Sequence, residues 1–483
     1  LLKKILYMIK FKIPLLAGSV FLALFILFEL VFKYQFYYIE QLQLFIFSSD
    51  YLYSTILPVG GVAAYVSSFL VQFFILPYAG AFITALLLTI ICIQTRFILK
   101  KSSNHPVLFF LYVLPAIFLA AIQADLNYTL QGTVAYCIML ISLQVFFLFK
   151  QQRFKLLYAL LSSILLFWLA GSIAILFALS IICIELIKNP KQFYWFTIPL
   201  LTVSFLCYLS VRYGFISEFK FAFLPDMYYH SMLDAPTLIY ASWIALPITI
   251  LVSAFSPFKN NYKGWKLYLG QGVQVVAVLL IAHLSITKLM DKAALKFQRL
   301  DYYAREENWD QLISYMGNDP KASNNLLYLA YINIAFIEKG ELADKAFSFH
   351  QKGIEGLLLP WNKTVTSSIV LSDFHFATGN IALSLEMAFE GNLAIPGSMG
   401  PRTLQRMIQS NLIYGSYPVA EKYLNLFSKT LFYAKWAEVH QKFLYNDEAI
   451  ESDSLLGEKR KCLVESNMLA GIHIPEELQK IAH

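Results

Sequence analysis

Residues 156–187 read LLYALLSSILLFWLAGSIAILFALSIICIELI, a run of 32 residues in which Glu185 is the only charged side chain. At about 1.5 Å per helical residue, this run is too long for one comfortable crossing of a bilayer and short for two. Gly171-Ser172 offers a break in its middle. The choice between one helix and a hairpin decides on which side of a membrane every later loop lies.

The basic residues between the apolar runs favour the hairpin, because short cytoplasmic loops of membrane proteins collect Lys and Arg. With two crossings in 156–187, fifteen of the nineteen basic residues before residue 290 lie inside. With one crossing, Lys259, Lys263 and Lys266 would move outside. The sequence therefore predicts an N-terminus inside, a C-terminus outside, and nine spans near 13–32, 79–98, 106–122, 131–149, 156–171, 172–187, 194–211, 237–254 and 268–289.

The composition divides the chain into two parts. Of its 483 residues, 58% are hydrophobic and 14% are charged, against about 25% charged in soluble domains. Residues 1–290 carry 19 Lys/Arg and 8 Asp/Glu, whereas 291–483 carry 19 and 23. This excludes a wholly soluble enzyme and predicts an all-α protein, with a transmembrane domain at 1–290 and a soluble helical domain at 291–483. The positive excess marks topology, so no nucleic-acid partner is expected.

Residues 33–78 form a long outer segment in this topology. Pro58, Gly60, Gly61 and Pro77 divide it into pieces too short to cross a bilayer. Its many tyrosines suit the headgroup depth, so short helices lying in the outer interface are expected. A crossing by 56–76 is the alternative, and it would place Lys100 and Lys101 outside.

After Lys288, apolar residues recur at helical spacing between polar turns, notably over 374–390, 402–412, 417–427 and 431–444. This pattern predicts short helical units stacked into a repeat domain. Residues 305–313 resemble the opening helix of a tetratricopeptide-like unit, and 340–346 resemble the turn into another. Such a domain would offer a surface to a protein partner.

Carboxylates concentrate on the predicted outer side. Glu40 and Asp50 flank an apolar stretch held against the bilayer, where desolvation would raise the pKa of a carboxylate and suit it to act as a general base. Asp125 follows the third span in a short outer turn and would either face the same cavity or cap a helix.

The outer loop 212–236 holds further candidates. Arg212 or Lys220 would bind a lipid phosphate, or else anchor the chain on anionic lipid. Asp226, His230 and Asp234 recur at four-residue spacing and form the one candidate set for a divalent metal. No nucleotide-binding or metalloprotease motif occurs in the chain.

The arrangement of 1–254 resembles the GT-C class of polytopic membrane glycosyltransferases. The likeness lies in the long first outer loop with Glu40 and Asp50, the acidic turn at Asp125, the basic inner turn 150–155, and the short-helix pair 156–187. The resemblance implies sugar transfer from a polyprenyl-phosphate donor to an acceptor outside a bacterial plasma membrane, with the C-terminal domain periplasmic. Glu40 or Asp50 would deprotonate the acceptor, Asp125 would orient it or a metal, and Arg212 or Lys220 would hold the donor phosphate.

Two alternatives come from other classes of protein. One is a non-catalytic membrane scaffold that presents its helical-repeat domain to a protein partner in an envelope assembly. The other is a transporter or flippase, which the scarcity of charge within the spans and the lack of a duplicated half disfavour. A single outward cavity lined by Glu40, Asp50, Asp125 and Arg212 would favour the enzyme, and their dispersal would favour the scaffold.

Overall fold

The computed structural model describes residues 2–102, 109–255, 265–317, 325–357, 359–395 and 397–463. Within these ranges the regular structure is helical, and the one β contact is an isolated bridge between Tyr128 and Tyr229. The predicted all-α class is confirmed. The chain divides into two compact units: unit 1 comprises Leu1–Phe36 and Ser49–Asp291, and unit 2 comprises Tyr37–Ser48 and Lys292–His483.

Unit 1 is a bundle of apolar helices. Its helices are α1 (Leu2–Val31), α2 (Lys33–Glu40, which enters unit 2 after Phe36), α3 (Ser49–Ile56), α4 (Gly61–Val71), α5 (Ala79–Ser102), α6 (Phe109–Ile122), α7 (Leu130–Phe146), α8 (Gln152–Ala170), α9 (Ile173–Lys188), α10 (Thr197–Arg212), α11 (Phe219–Phe223), α12 (Thr237–Phe255) and α13 (Trp265–Leu289). Helix α5 packs on α1, α6 and α7, and α6 also packs on α12 and α13. Helix α7 packs on α4, α8 and α9.

The apolar run 156–187 is a hairpin of α8 and α9. Gly171 separates them with φ +85°, a conformation that favours glycine, and a Cβ there would lie 2.3 Å from the sulfur of Met227. At the other end of the hairpin, the Nζ atom of Lys155 lies 2.8 Å from Oε1 of Glu185. Because both side chains are buried, this ion pair fixes how α8 and α9 lie against each other.

Among the residues that the structure describes, five helical segments of unit 1 are long and apolar enough to cross a membrane: Ala79–Ser102, Gln152–Ala170, Phe193–Arg212, Thr237–Ala254 and Gly272–Leu289. A sixth is obtained only if Leu16–Val31 and Lys33–Glu40, which are bent by 75°, count as one span. We do not count that pair, because Tyr37–Glu40 belong to unit 2.

The count is lower than the nine spans predicted. Every predicted span coincides with a helix, but α6, α7 and α9 have 14, 17 and 16 residues. Within the described residues they therefore reach at most about 26 Å, less than the roughly 30 Å hydrocarbon thickness of a bilayer. Residues 256–264, which include the predicted inner residues Lys259 and Lys263, lie outside the described residues.

Four loops meet at one end of unit 1. The amide of Gly60 donates to the carbonyl of Trp168 (2.8 Å), and the amide of Thr129 donates to the carbonyl of Tyr228 (2.9 Å). The hydroxyl of Tyr228 donates to the carbonyl of Ala170 (2.5 Å). These are loops that the sequence placed together on the outer side.

Unit 2 is a series of short helices packed on their neighbours in the chain. They are α14 (Lys292–Arg305), α15 (Trp309–Gly317), α16 (Leu326–Glu338), α17 (Leu342–Lys345), α18 (Ile354–Leu357), α19 (Val365–Ala377), α20 (Ile381–Ala394), α21 (Pro401–Ile413), α22 (Tyr417–Phe427), α23 (Ala434–Gln441), α24 (Asp447–Ser452) and α25 (Leu456–Lys461). Helix α14 packs on α15 and α16, α16 on α19, α19 on α20, α20 on α21, and α21 on α22. The periodic stretch 374–390 is two helices, because Gly379 (φ +81°) ends α19 and Asn380 caps α20.

Residues 37–48 form part of unit 2, although the sequence placed them in an interfacial loop of the first domain. The ring of Tyr37 stacks on Tyr302 at 4.8 Å between centroids, and the amide of Phe47 donates to the carbonyl of Lys429 (2.8 Å). Within this segment, Tyr37, Tyr38, Leu44, Phe45 and Ile46 are buried within a protein core, whereas Phe47 stays half exposed. Segment 33–78 is therefore divided between the units, with α3 and α4 in unit 1.

Candidate functional site

Unit 2 contains a cleft of about 240 Å³, and most of its lining residues come from four helices. Helices α14, α16, α19 and α21 each turn one face toward it. Its lining residues are Ala304, Arg305, Glu307, Trp309, Tyr331, Ile334, Glu338, Asp373, Phe376, Arg402, Gln405, Arg406, Gln409, Trp436 and Leu455.

Helical spacing explains why polar residues line the cleft. Arg402, Gln405, Arg406 and Gln409 are three or four residues apart, so they share one face of α21. The opposite face carries Leu404, Met407 and Ile408, among others, into the core of unit 2. This strongly amphipathic helix thus presents its polar side to the cleft.

A network of buried charges forms the floor of the cleft and joins the four helices. The guanidinium group of Arg402 donates to Asp301 of α14 and to Asp373 of α19. Arg406 donates to the second oxygen of Asp373 (3.0 Å), and the hydroxyl of Tyr331 donates to Asp301 (2.5 Å). Burial disfavours the ionised form, but the charges of Arg402 and Arg406 hold the pKa of Asp373 below its ordinary value.

Two carboxylates on the wall of the cleft have no such partner. Among the described residues, neither Glu307 nor Glu338 has an oxygen in an ion pair or a side-chain hydrogen bond. Burial raises the pKa of Glu338, although the nearby charges of Lys459 and Arg406 oppose the rise. Glu307 also has a left-handed backbone (φ 52°), which is uncommon for a residue other than glycine. The cleft thus has paired charges on its floor and unpaired acids on its wall.

Aromatic rings complete the walls. The guanidinium of Arg406 lies 3.6 Å above the centroid of the Phe376 ring, a cation–π contact that fixes its plane. The indole of Trp436 stacks on His440 at 3.7 Å between centroids. Both Trp309 and Trp436 keep part of their surface exposed. Such half-exposed indoles are available for contact with a ligand.

Glu40, the first base predicted from the sequence, lies inside unit 2 with 1% of its surface exposed. The hydroxyl of Tyr433 donates to its Oε1 atom (2.7 Å), and the side-chain amide of Gln41 donates to its other oxygen. Burial raises its pKa to about 7, although hydrogen bonds from Tyr433 and Gln41 and the charge of Arg305 oppose the rise. The direction expected for this pKa agrees with the structure, but the carboxyl is enclosed by protein.

The other predicted acids belong to unit 1. Asp50 lies exposed in the first turn of α3. Asp125 accepts hydrogen bonds from the backbone amide of Asn127 (2.9 Å) and from the hydroxyl of Tyr229 (2.6 Å). Asp125 therefore shapes a turn and also ties that turn to loop 224–230.

The predicted phosphate-binding residues lie on the neighbouring helices α10 and α11. Arg212 lies in the last turn of α10, and no side-chain hydrogen bond of its guanidinium occurs within the described ranges. Lys220 lies near Glu218, with 3.3 Å between Nζ and Oε2. Both are partly exposed.

Asp226, His230 and Asp234 do not form a metal site, because no group of three metal-ligating side chains occurs in the part of the chain that the structure describes. Residues 225–228 form a single 3-10 turn rather than the continuous helix that would align the trio. Asp226 instead accepts a hydrogen bond from Tyr240 (2.9 Å). It is 7% exposed, and its buried Oδ2 atom has no partner among the described residues.

The cleft residues were missed by the sequence analysis. Periodicity located the helix at 402–412, but its polar face has the appearance of an ordinary solvated surface. A usable signal was present in the two arginines four residues apart at 402 and 406, because two cations on one helix face repel unless acids from other helices approach them.

Comparison with protein-family models identifies a family for this chain. A family model matches residues 7–482, so the chain belongs to the family of unknown function DUF6057. No curated protein and no solved structure matches the chain.

Proposed function

We propose that this chain is a membrane protein that binds a segment of a protein partner in the cleft of unit 2. The observation that carries the proposal is a concave wall built from arginine, tryptophan and amide side chains on a floor of fixed charges. Arg, Trp and Tyr dominate the energetically important positions of protein interfaces. The amides of Gln405 and Gln409 suit a polypeptide backbone, because each both donates and accepts hydrogen bonds.

The unpaired acids specify the partner further. On the floor, Arg402 and Arg406 are paired with Asp301 and Asp373, whereas Glu307 and Glu338 make no ion pair among the described residues. A lysine or arginine side chain placed between these carboxylates would supply the missing charge and could stack on Trp309. A space of about 240 Å³ is smaller than a typical site for a drug-sized ligand. We therefore expect one basic side chain and its neighbours to insert, as part of a longer segment.

Photocrosslinking in living cells tests this proposal. A benzophenone amino acid replacing Gln405 should crosslink a discrete partner protein, and the same amino acid at exposed Lys422 on α22 should not. The double variant E307Q/E338Q should reduce the adduct at position 405, because it removes the charge that the basic side chain requires. Equal crosslinking from positions 405 and 422, or an adduct unaffected by E307Q/E338Q, would contradict it.

We also propose the finer arrangement that the charge pattern indicates: nine crossings of a bacterial plasma membrane, an N-terminus inside, and unit 2 as a periplasmic helical-repeat domain. The shorter helices α6, α7 and α9 would cross with their ends covered by neighbouring helices. In a C462S background, Lys191→Cys should resist an impermeant thiol reagent in intact cells, whereas Glu451→Cys should react. The reverse pattern would invert the topology.

A polyprenyl-phosphate-dependent glycosyl transfer is the second candidate, and one specific observation favours it. The buried Oδ2 atom of Asp226 lacks a partner at the end of unit 1 where the loops meet, and a carboxylate oxygen there suits an acceptor hydroxyl. Asp125 lies in an adjoining loop, and Arg212 or Lys220 would hold the donor phosphate. The Asp226→Asn variant should then remove an envelope glycan that deletion of the gene also removes, whereas Asp50→Asn, on exposed α3, serves as the matched control. An unchanged glycan in D226N would rule out Asp226 as the acceptor site.

A further inference from the structure

Basic side chains gather at the end of unit 1 where α5, α7 and α9 finish and α8 begins. The segments 96–101, 150–155 and 185–191 contain a single acid, Glu185, against eight basic residues. The basic residues are Arg96, Lys100, Lys101, Lys150, Arg153, Lys155, Lys188 and Lys191. The negative ends of the three helix dipoles supply only about half a charge each. This end of unit 1 therefore keeps a large excess of positive charge.

Side-chain contacts bring part of this charge together over the end of α7. The Nζ atom of Lys155 on α8 lies 5.3 Å from the centroid of the Phe146 ring, and Nζ of Lys188 on α9 lies 5.0 Å from that of Phe147. The charges of Lys155 and of Lys101, at the end of α5, both act unfavourably on the ammonium group of Lys188. Three helices thus contribute mutually repelling ammonium groups to the same place.

The one carboxylate at this end is already committed. Glu185 accepts from Nζ of Lys155 through Oε1 (2.8 Å) and from the side-chain amide of Asn189 through Oε2 (2.5 Å). Neither Lys101 nor Lys188 takes part in an ion pair within the part of the chain that the structure describes. An anion from outside the chain would relieve the repulsion between them.

A buried acceptor lies beside the same carboxylate. The side-chain amide nitrogen of Gln152 donates to Oε2 of Glu185 (3.3 Å), and its Oε1 atom is buried with no hydrogen-bond partner among the described residues. Buried polar atoms of folded proteins normally have a partner. A ligand that carries both a negative charge and a hydroxyl group would satisfy the lysines and this oxygen together.

Exposed aromatic and apolar side chains border the lysines. Tyr194 and Trp195 are 53% and 50% exposed, and Leu148 is 75% exposed. Phe196 of the same turn packs on Phe146, with 6.0 Å between ring centroids, which places these aromatic residues beside the lysines. Tyr and Trp concentrate at the depth of lipid headgroups. A soluble anion would use only the charge, whereas a lipid would use the charge and the adjoining apolar surface.

We propose that this end of unit 1 binds the headgroup of an anionic phospholipid, with Lys101 and Lys188 on its phosphate. Lysine binds phosphate as a point charge, and basic pockets between membrane helices suit such headgroups. A hydroxyl of a glycerol headgroup donates to Oε1 of Gln152. The inference rests on the proposed membrane location of unit 1 and is independent of any ligand in the cleft of unit 2.

Native mass spectrometry of the full chain in detergent tests the proposal. The parent should retain added phosphatidylglycerol but not phosphatidylcholine with the same acyl chains. The K101Q/K188Q variant should bind phosphatidylglycerol about 25-fold more weakly, since each lysine near a headgroup contributes about fivefold. K150Q/R153Q is the matched control: it removes the same charge from exposed residues at the same end, and Arg153 projects from the side of α8 opposite Lys155. Equal losses in both double variants would show a diffuse positive field and overturn the site.

Further arms of the experiment separate misfolding and other ligands from loss of the site. K101R/K188R keeps the charge and should retain the lipid; loss there would overturn the phosphate contact. Excess inorganic phosphate should leave the lipid bound, and displacement would replace the lipid with a soluble anion. Phosphatidylmethanol has the same charge but no headgroup hydroxyl, so it should bind about fivefold more weakly. Equal binding would overturn the role of Gln152.

The membrane location of unit 1 is checked separately by washing cell membranes with alkaline carbonate. Release of the parent chain by this wash would refute the proposed membrane location. A chain that stays in the membrane pellet but binds no phosphatidylglycerol after extraction would refute the lipid site alone.

Discussion

The carboxyl of Glu40 should make unit 2 less stable as the pH rises, and replacing it with an amide should abolish this effect. Glu40 is 1% exposed, and its pKa is raised to about 7 by burial. In the unfolded chain, its pKa returns to the ordinary value of 4.5. Between these two values the unfolded chain releases a proton that the folded unit retains.

This difference fixes both the sign and the size of the effect. Because the unfolded state binds fewer protons in this range, the free energy of unfolding falls as the pH rises from about 4.5 to about 7. One pKa unit corresponds to about 1.36 kcal/mol, so a difference of roughly 2.5 units costs about 3 kcal/mol at and above neutral pH. The Glu40→Gln variant keeps the shape and carries no charge. It should therefore match the parent near pH 4.5 and be more stable by up to about 3 kcal/mol at pH 8.

Hydrogen exchange of the full chain in detergent, followed on peptides from α21 and α23, would measure the stability of unit 2 separately from unit 1. The parent, E40Q and the control E438Q would be compared at pH 5, 6, 7 and 8 after correction for the intrinsic exchange rate. Glu438 lies exposed on α23, so E438Q should keep the slope of the parent.

Two results would refute this reasoning. One is a parent-like slope in E40Q, which would mean that another group titrates. The other is an E40Q variant that is destabilised equally at pH 5 and pH 8, which would mean that the carboxyl contributes through its hydrogen bonds alone. Tyr433→Phe gives an independent check: the loss of the hydroxyl that stabilises the ionised form should raise the pKa of Glu40 further and extend the slope above pH 7.

Three other outcomes follow from the same contacts. An isolated fragment 292–483 should be less stable than unit 2 of the full chain by several kcal/mol, because it lacks the buried apolar side chains of 37–48. Adding a peptide of residues 37–48 should raise the melting temperature of this fragment, and an unchanged melting temperature would contradict the prediction. Glu185→Gln should destabilise unit 1 by about 3–5 kcal/mol in thermal unfolding in detergent, since it leaves a buried Lys155 without its counter-charge; the double variant K155M/E185L should recover most of the loss. Asp373→Asn should lower the free energy of unfolding of unit 2, measured by hydrogen exchange, by a similar amount, because Arg402 and Arg406 would lose the carboxylate that they share. A decrease no larger than that of the exposed control D310N would contradict this prediction.

Helices were predictable from the sequence because they depend on local periodicity. The hairpin of α8 and α9 followed from the length of 156–187 and the Gly171 break, and α21 and α22 followed from their apolar spacing. The number of crossings was not predictable in this way. Apolar composition alone could not show that α6, α7 and α9 stop at 14 to 17 residues, because their ends depend on caps and tertiary contacts.

The site was harder to predict because its parts are distant in sequence. Asp301, Asp373 and Arg402 come from three helices separated by 101 positions from first to last, and each side chain alone resembles an ordinary surface charge. The acids singled out from the sequence were chosen for their place in a presumed outer loop. Once residues 37–48 proved to belong to unit 2, Glu40 and Asp50 no longer shared a compact unit.

Segment 37–48 shows why a membrane interface and a protein core are easily confused. Both environments select aromatic side chains, and both desolvate a carboxyl and raise its pKa. The feature that separates them is the identity of the hydrogen-bond partner, and for Glu40 this is Tyr433, 393 positions later in the chain. No local pattern contains that information. A variant that removes only the Tyr433 hydroxyl therefore separates the two environments: it alters the titration of a core carboxyl and would leave that of a lipid-facing carboxyl unchanged.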